Sequence, residues 1–455
     1  MTSTAVSSVH AGHAGPTSES SGDTGTARKK KVRSIAAATV GCMLEWYDFA
    51  VYGYFAVVIS KLFFPAESEW VSLLLTVATF GVGFAMRPVG ALILGTLADT
   101  KGRRVALSWT IVAMVVGTAI IAFTPTYQSI GIWAPVLMVL ARLIQGFSAG
   151  GEMGTATSFL VEHAPPRRRF LFASFQQLTQ LLALLLGSLI GAAITSWLSP
   201  AEVEAWGWRV PFIAGLLIGP VGWYIRKHTE EPPAFAEAMR ERRKLDKAGI
   251  ATAHPSPWSA IRTYPRESLA GFCITVLWTV CTYFFLIYVP TYAVKHLQLP
   301  QASALMSNAI SLLVAAILLP VFASMADRIG AQRILQASSI LILIAAYPAM
   351  LVLSLSPTVG TLIAVQAGFA VLIAAYTGPA GGALATLFPA DIRATGISIA
   401  YNFAVTIFGG FAPFIATWLI GTTGNLLSPA WYAVAAALIA AVGARQLRFV
   451  AGTAR

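Results

Sequence analysis

Charge is scarce in this chain. Of its 455 residues only 11% are Asp, Glu, Lys or Arg, less than half of the roughly 25% in ordinary soluble domains. With 56% hydrophobic residues and a mean hydropathy of +0.71, that shortage excludes a soluble globular domain. The long apolar runs are membrane spans rather than core helices. Cysteine is scarcer still: Cys42, Cys273 and Cys281 all lie inside apolar runs, without metal-ligand spacing. An odd, membrane-embedded set excludes a disulfide framework and reads as packing. No His or Lys falls in the middle of any apolar run. No nucleophile–base pair, phosphate loop or metal cluster stands out, and no soluble domain is available to carry an output. An enzyme or receptor is therefore disfavoured, and no metal and no cofactor is expected.

Basic residues outnumber acids 31 to 19, giving a net charge of +12. Such an excess could suit nucleic acid, but its distribution does not. Approximate spans are 34–60, 70–95, 105–123, 132–160, 170–196 and 209–226, then 268–291, 302–324, 334–353, 359–385, 394–420 and 429–446. With these boundaries only Lys61, Arg209 and Lys295 fall on one side of the bilayer, and Arg87 and Arg142 fall inside spans. Every other Lys and Arg falls on the opposite, cytoplasmic side, which is the positive-inside pattern rather than a nucleic-acid patch. The expected architecture is all-α and integral to the membrane, with twelve spans and both termini cytoplasmic. The expected divisions are a disordered tail over 1–33, a first half over 34–226, a cytoplasmic loop over 227–267, a second half over 268–446 and a short tail over 447–455. The segment after Arg28-KKKVR is too long and too charged for a cleavable signal and reads as the first span.

Glu45 and Asp48 lie one helical turn apart within that first span. A carboxylate at the bilayer centre costs roughly 2.5–3.5 kcal/mol on insertion scales. Two on one helix face require a bundle interior, a wet cavity, protonation or a countercharge. Asp48 lies about 22 Å along the helix from Arg33 at 1.5 Å per residue. Glu45, Asp48 and Glu152 are the candidate proton carriers, since a partly desolvated carboxyl can take up and release a proton near neutral pH. The alternative is a structural ion pair with Arg87 or Arg142. These two arginines offer planar forks that suit a di- or tricarboxylate. Tyr47, Gln177, Gln180, Tyr283, Tyr288 and Asn402 are further candidate cavity residues, each also able to serve as a simple interhelical hydrogen bond. Gly146, Gly150 and Gly154 recur every four residues, a flat stripe for close helix packing.

An internal repeat is visible. Ala98-Asp99…Gly102 matches Ala326-Asp327…Gly330, and Pro165-PRRR…Ser174 matches Pro389-ADIR…Ser398. Both offsets are close to half the chain, which implies two six-helix halves in parallel orientation.

Several motifs then support a resemblance. Gly95-TLADTKGRR resembles the cytoplasmic loop between helices 2 and 3 of the major facilitator superfamily, departing from it at Thr100. Arg142-LIQGFSAGGE resembles that superfamily's fourth-helix pattern. Leu44-EWYDF, Phe63-FP, Arg87-PVG, Trp206-GWRVPF, Phe388-PADIRATG and Phe408-GGFAP resemble its metabolite:proton symporter family. Members of that family carry citrate, α-ketoglutarate, shikimate or proline and betaine across the bacterial inner membrane. The resemblance covers nearly all of residues 33–447. It implies a secondary transporter whose partners are protons, a small-molecule substrate and the lipid bilayer, functional as a monomer. It also implies a cytoplasmic gate built from Gly95, Asp99, Gly102, Arg103, Arg104 and Glu162, with Asp327, Arg328 and Arg393 as second-half counterparts. A small organic anion is the expected substrate; a zwitterionic osmolyte or shikimate is the alternative.

Overall fold

The computed structural model describes residues 43, 45–101, 103–150, 152–227, 259–389 and 392–451. The expected tail over 1–33, most of the loop over 227–267, Gly102 and the last residues of the chain lie outside the described residues. Within them the regular structure is helical throughout, with no strand.

The first span is α1 (residues 45–54), continued after a turn at Phe55 by α2 (Ala56–Phe63). It is followed by α3 (Glu69–Ala85), α4 (Arg87–Lys101), α5 (Arg103–Phe123), α6 (Trp133–Ser148), α7 (Glu152–Glu162), α8 (Arg169–Trp197) and α9 (Val210–Lys227). The second part comprises α10 (Pro265–Val280), α11 (Val289–His296), α12 (Gln301–Ile329), α13 (Ala331–Leu355), α14 (Val359–Leu387), α15 (Arg393–Ala404), α16 (Ala412–Thr423) and α17 (Ser428–Ala451). Among the described residues eight helices are long and apolar enough to cross a membrane, and Ser108–Phe123 and Trp133–Ser148 are shorter apolar helices.

Local sequence sets several helix ends. Thr358 caps α14 by accepting from the Thr361 amide at 3.1 Å, satisfying one of the donors that a helix start leaves free. Gly330 stops α12 with φ +91°, and Gly424 stops α16 with φ +65°, conformations that favour glycine. The second repeat motif, expected as a loop, is therefore helical through Asp327, and only Gly330 turns the chain. The first motif is likewise helical up to Lys101 and again from Arg103. Two stretches adopt π-helix: Cys281–Tyr288 joins α10 to α11, and Val405–Gly410 joins α15 to α16.

Helices α3, α5, α6 and α9 pack among themselves, as do α10, α13 and α17. They belong to two larger groups, α1–α9 and α10–α17, which meet where α8 lies against α12 and α14, α7 against α15, and α3 against α16.

Backbone contact brings α3 and α4 onto α6. A Cβ on Gly146 would sit 1.6 Å from the Gly83 carbonyl oxygen, one on Gly90 1.9 Å from that of Phe147, and one on Gly150 2.1 Å from that of Arg87. Side chains are excluded from this crossing, so Arg87 and Arg142 are carried by helices in backbone contact. The third member of the stripe, Gly154, faces the Ala394 carbonyl of α15, which a Cβ would approach to 2.4 Å. Gly146→Ala is expected to destabilise by about 1–3 kcal/mol through overpacking. Gly368→Ala, on α14 where a Cβ meets nothing within 4 Å, is expected to be neutral or to stabilise by about 0.4–1 kcal/mol. Thermal unfolding of the two purified variants in detergent checks the contrast.

Candidate functional site

The acid pair separates into two different environments. Glu45 and Arg87 form a buried ion pair, with Arg87 Nη2 donating to Glu45 Oε1 at 2.6 Å. Asp48 is buried deeper, and no ion pair joins it to an arginine among the described residues. Its Oδ2 accepts from Thr118 Oγ1 on α5 and, at 3.4 Å, from Gln145 Nε2 on α6. Gln145 Nε2 also donates to Thr118 Oγ1 at 3.1 Å, and Gln145 Oε1 accepts from Arg142 Nη1 at 2.8 Å. Asp48 Oδ1 faces Gly215 of α9, where a Cβ would come within 2.7 Å. Glycine on α9 therefore makes room for the carboxylate, and residues from α1, α5, α6 and α9 surround it.

Aromatic rings carry the guanidinium faces. Arg142 Cζ lies 4.3 Å from the Phe49 centroid, 4.6 Å from Tyr52 and 5.1 Å from Phe80. Arg87 Cζ lies 5.1 Å from Phe84, 5.4 Å from Trp46 and 5.8 Å from Phe49. Such contacts offset part of the cost of desolvating a cation, at about 0.5–2 kcal/mol each. Because both guanidiniums lie near the Phe49 ring, at most about 10 Å separates their Cζ atoms. Both retain buried N–H groups without a hydrogen-bond partner among the described residues: Nε and Nη2 of Arg142, and Nε and Nη1 of Arg87. An unpaired buried donor is costly. In Arg142 the free pair is the side-on fork that takes both oxygens of one carboxylate. Tyr283, within the first π-helix, packs on Trp46, Phe80 and Phe84. It brings the second group of helices to the same place.

The remaining candidates divide by their contacts. Tyr47 donates to the Pro211 carbonyl at 2.8 Å, Asn402 to the Gly150 carbonyl at 3.0 Å, and Tyr288 accepts from Thr417 at 3.0 Å. Gln177 accepts from Trp278 Nε1 at 3.1 Å, leaving its own Nε2 without a partner among the described residues. Gln180 is buried on α8. The side chain of Glu152 lies outside the described residues.

At the end of the bundle bearing α8's N-terminus, both Asp327 oxygens accept from the Phe170 and Leu171 amides at 3.0 Å. The carboxylate thus meets the positive end of a helix dipole. Arg393 pairs with Glu162 at 3.4 Å and donates to the Ala385 carbonyl at 2.9 Å. Arg328 is exposed. Gly95 lies within α4; the side chains of Asp99, Arg103 and Arg104, like Gly102 itself, lie outside the described residues. At the other end Lys295 pairs with Glu69, and Lys61 with Glu204 at 2.7 Å. Further in, Asn308 Nδ2 donates to Tyr54 Oη at 3.0 Å and to Ser188 Oγ at 3.3 Å. The two helix groups are therefore joined on both sides of the acid–arginine cluster.

Thr118, Gln145 and Gly215 were not among the candidates expected from sequence. Gln145 had two available signals: its place within the fourth-helix motif Arg142-LIQGFSAGGE, and its spacing of three residues from Arg142, which puts both side chains on one helix face. Thr and Gly are common in membrane helices, and nothing local marks Thr118 or Gly215.

Comparison with known proteins gives this cluster a context. The family model of sugar (and other) transporters matches residues 34–447. A citrate-proton symporter of Klebsiella pneumoniae is 35% identical over 413 residues, covering 91% of each chain. A proline/betaine transporter of Escherichia coli (strain K12) is 32% identical over 408 residues, covering 90% of this chain and 81% of that one. Among solved structures, the partially occluded, inward-open xylose transporter XylE from E. coli superposes with a TM-score of 0.70 at 17% identity. The match covers 90% of this chain and 96% of that chain.

Proposed function

We propose that this chain, which belongs to the sugar (and other) transporter family within the major facilitator superfamily, is a proton-coupled symporter of a small organic anion, a di- or tricarboxylate. The observation that carries this reading is the pair of buried guanidiniums within about 10 Å of each other, with free N–H groups beside a carboxyl held by neutral donors. One of these arginines is already neutralised by Glu45. Arg142 is the cation whose fork a substrate carboxylate completes, and a single unpartnered N–H of Arg87 suits one oxygen of a second carboxylate. Asp48 is the coupling acid, because its links are a hydroxyl and an amide rather than a permanent countercharge. Glu45 is then the structural member of the pair, and Glu152 remains a proposed secondary proton carrier. Tyr283 and Gln177 line the substrate side. Tyr47, Tyr288 and Asn402 hold helices together, and Gln180 shares the substrate-facing surface of α8.

The multi-pass inner-membrane chain crosses twelve times in this reading, as two six-helix halves over 34–226 and 268–446. The loop over 227–267 and both tails are cytoplasmic, and a monomer suffices for transport. Alternating access runs between the two halves. Asp327 and the Glu162–Arg393 pair, together with Gly95, Asp99, Gly102, Arg103, Arg104 and Arg328, close the cytoplasmic side. Asp327→Asn removes the charge from two charge-assisted hydrogen bonds, each about 1.5–3 kcal/mol. It is expected to lower the maximal transport rate about tenfold with little change in KM. Initial-rate uptake over a range of substrate concentrations checks the split.

The test of the whole reading is uptake into proteoliposomes under an imposed pH gradient. The panel is citrate, α-ketoglutarate, succinate, shikimate, proline and betaine. Uptake restricted to the carboxylates supports the proposal. The similarity to proline/betaine transporters favours a second reading, a zwitterionic osmolyte, and uptake of proline and betaine alone would replace the first by it. A sodium gradient in place of the pH gradient serves as the control for the coupling ion.

A further inference from the structure

Gln145 occupies a position that the transport reading leaves unused. Its side chain is fully buried and spans from Arg142 to Asp48: Oε1 accepts from Arg142 Nη1 at 2.8 Å, while Nε2 reaches Asp48 Oδ2 at 3.4 Å and Thr118 Oγ1 at 3.1 Å. Gly117 of α5 leaves the space that this side chain fills, since a Cβ there would come within 2.6 Å of Gln145 Cγ. We propose that Gln145 is a positioning residue that holds the Arg142 guanidinium one amide away from Asp48, keeping its Nε–Nη2 fork open for a substrate carboxylate and relaying its state to Asp48.

The chemistry follows from what an amide can do. Held by Arg142 through its oxygen, Gln145 can present only N–H donors to Asp48 and Thr118. A donor facing Asp48 Oδ2 favours the ionised carboxylate. The other titratable or charged groups acting on Asp48 are Arg142 on α6 and Tyr47 on its own helix; Glu45, one turn away on α1, is neutralised by Arg87 of α4. When a substrate carboxylate occupies the Arg142 fork, the guanidinium charge is compensated by the substrate. Asp48 then gains a reason to bind a proton. Substrate and proton favour one another by reciprocal linkage, as symport requires. Without the spacer, Arg142 and Asp48 can close into a direct ion pair that occupies the fork and holds Asp48 ionised.

This inference rests on the assignment of Asp48 as coupling acid and Arg142 as substrate-binding residue, so its test carries its own control. Gln145→Ala removes the spacer together with its contacts to Arg142, Asp48 and Thr118. It is expected to raise KM about tenfold, the loss of one charge-assisted hydrogen bond. It is also expected to move the pH of half-maximal uptake down by about one unit, because Arg142 then faces Asp48 directly. Gln145→Glu keeps the contact to Arg142 but adds a negative charge beside Asp48. Its KM also rises, while its pH profile moves in the opposite direction, to higher pH. A merely structural residue would lower protein yield or rate without moving the two profiles apart. Unchanged KM, or profiles that stay at the wild-type position or shift together, would overturn the inference. Asp48→Asn, assayed alongside, separates the two levels. If that variant still accumulates substrate when driven by the pH gradient, the underlying assignment of Asp48 fails. If it loses accumulation while both Gln145 variants behave like wild type, only the role of Gln145 fails.

Discussion

Asp48→Asn is expected to abolish proton-driven accumulation while leaving substrate exchange intact. Asparagine keeps an acceptor oxygen for Thr118 and Gln145, the two donors that hold Asp48 in place, so the helix packing of α1, α5 and α6 is preserved. It cannot take up or release a proton. With one proton per substrate, a gradient of one pH unit supports about tenfold accumulation in the wild type, the equivalent of about 1.4 kcal/mol. The variant should stop at equal concentrations on both sides. Counterflow, in which unlabelled internal substrate exchanges for labelled external substrate, needs no net proton movement and should persist. If Asp48 served only to balance Arg142, the substitution would instead weaken folding or binding, and whatever transport remained would still follow the pH gradient.

The second large effect concerns Arg87 and Glu45. Both side chains are buried, 3% and 6% exposed, and they meet at 2.6 Å. Truncating one partner strands the other charge away from water, which costs about 3–5 kcal/mol. Arg87→Ala and Glu45→Ala should each lower the thermal midpoint sharply or prevent recovery of folded protein. The double variant Glu45→Gln with Arg87→Met removes both charges at similar volume and should recover most of the stability. Pairs in direct contact are non-additive in this way. The same double variant separates structure from function. If Arg87 offers one of its unpartnered Nε or Nη1 hydrogens to the substrate, the folded double variant should bind substrate about tenfold or more weakly. Restored folding together with unchanged binding would leave Arg87 as a purely structural cation.

Much of the fold was legible in the sequence because a membrane makes hydropathy decisive. The apolar run expected over 170–196 is the helix Arg169–Trp197, and that over 359–385 is Val359–Leu387. Interruptions within spans were not legible. The breaks at Met86 and around Ala149 depend on how α3 and α6 cross through Gly83 and Gly146. The π-helix at Cys281–Tyr288 widens a turn where Tyr283 meets Phe84 and Gly409. Such features arise from partners distant in sequence, and the residues that form them have ordinary helical propensity. At the site, Glu45, Asp48, Arg87 and Arg142 stood out because charge is expensive in lipid. Which acid pairs with which arginine did not stand out. That choice is made by Thr118, Gln145 and Gly215, neutral residues whose cost in a membrane is small and whose presence in a helix is unremarked. The phenyl rings of Phe49, Phe80 and Phe84 that carry the guanidiniums were equally hidden among 25 phenylalanines.

The most direct measurement of coupling at Asp48 is proton uptake on substrate binding. Purified protein is placed in weakly buffered detergent solution near neutral pH with an indicator dye, and the substrate identified by the uptake panel is added. Wild-type protein should take up about one proton per bound substrate, since compensating the Arg142 charge favours protonation of its neighbour. Asp48→Asn should bind the substrate and take up none. Substrate binding without proton uptake in the wild type, or uptake undiminished in Asp48→Asn, would contradict the assignment of Asp48 as the residue that links the proton to the substrate.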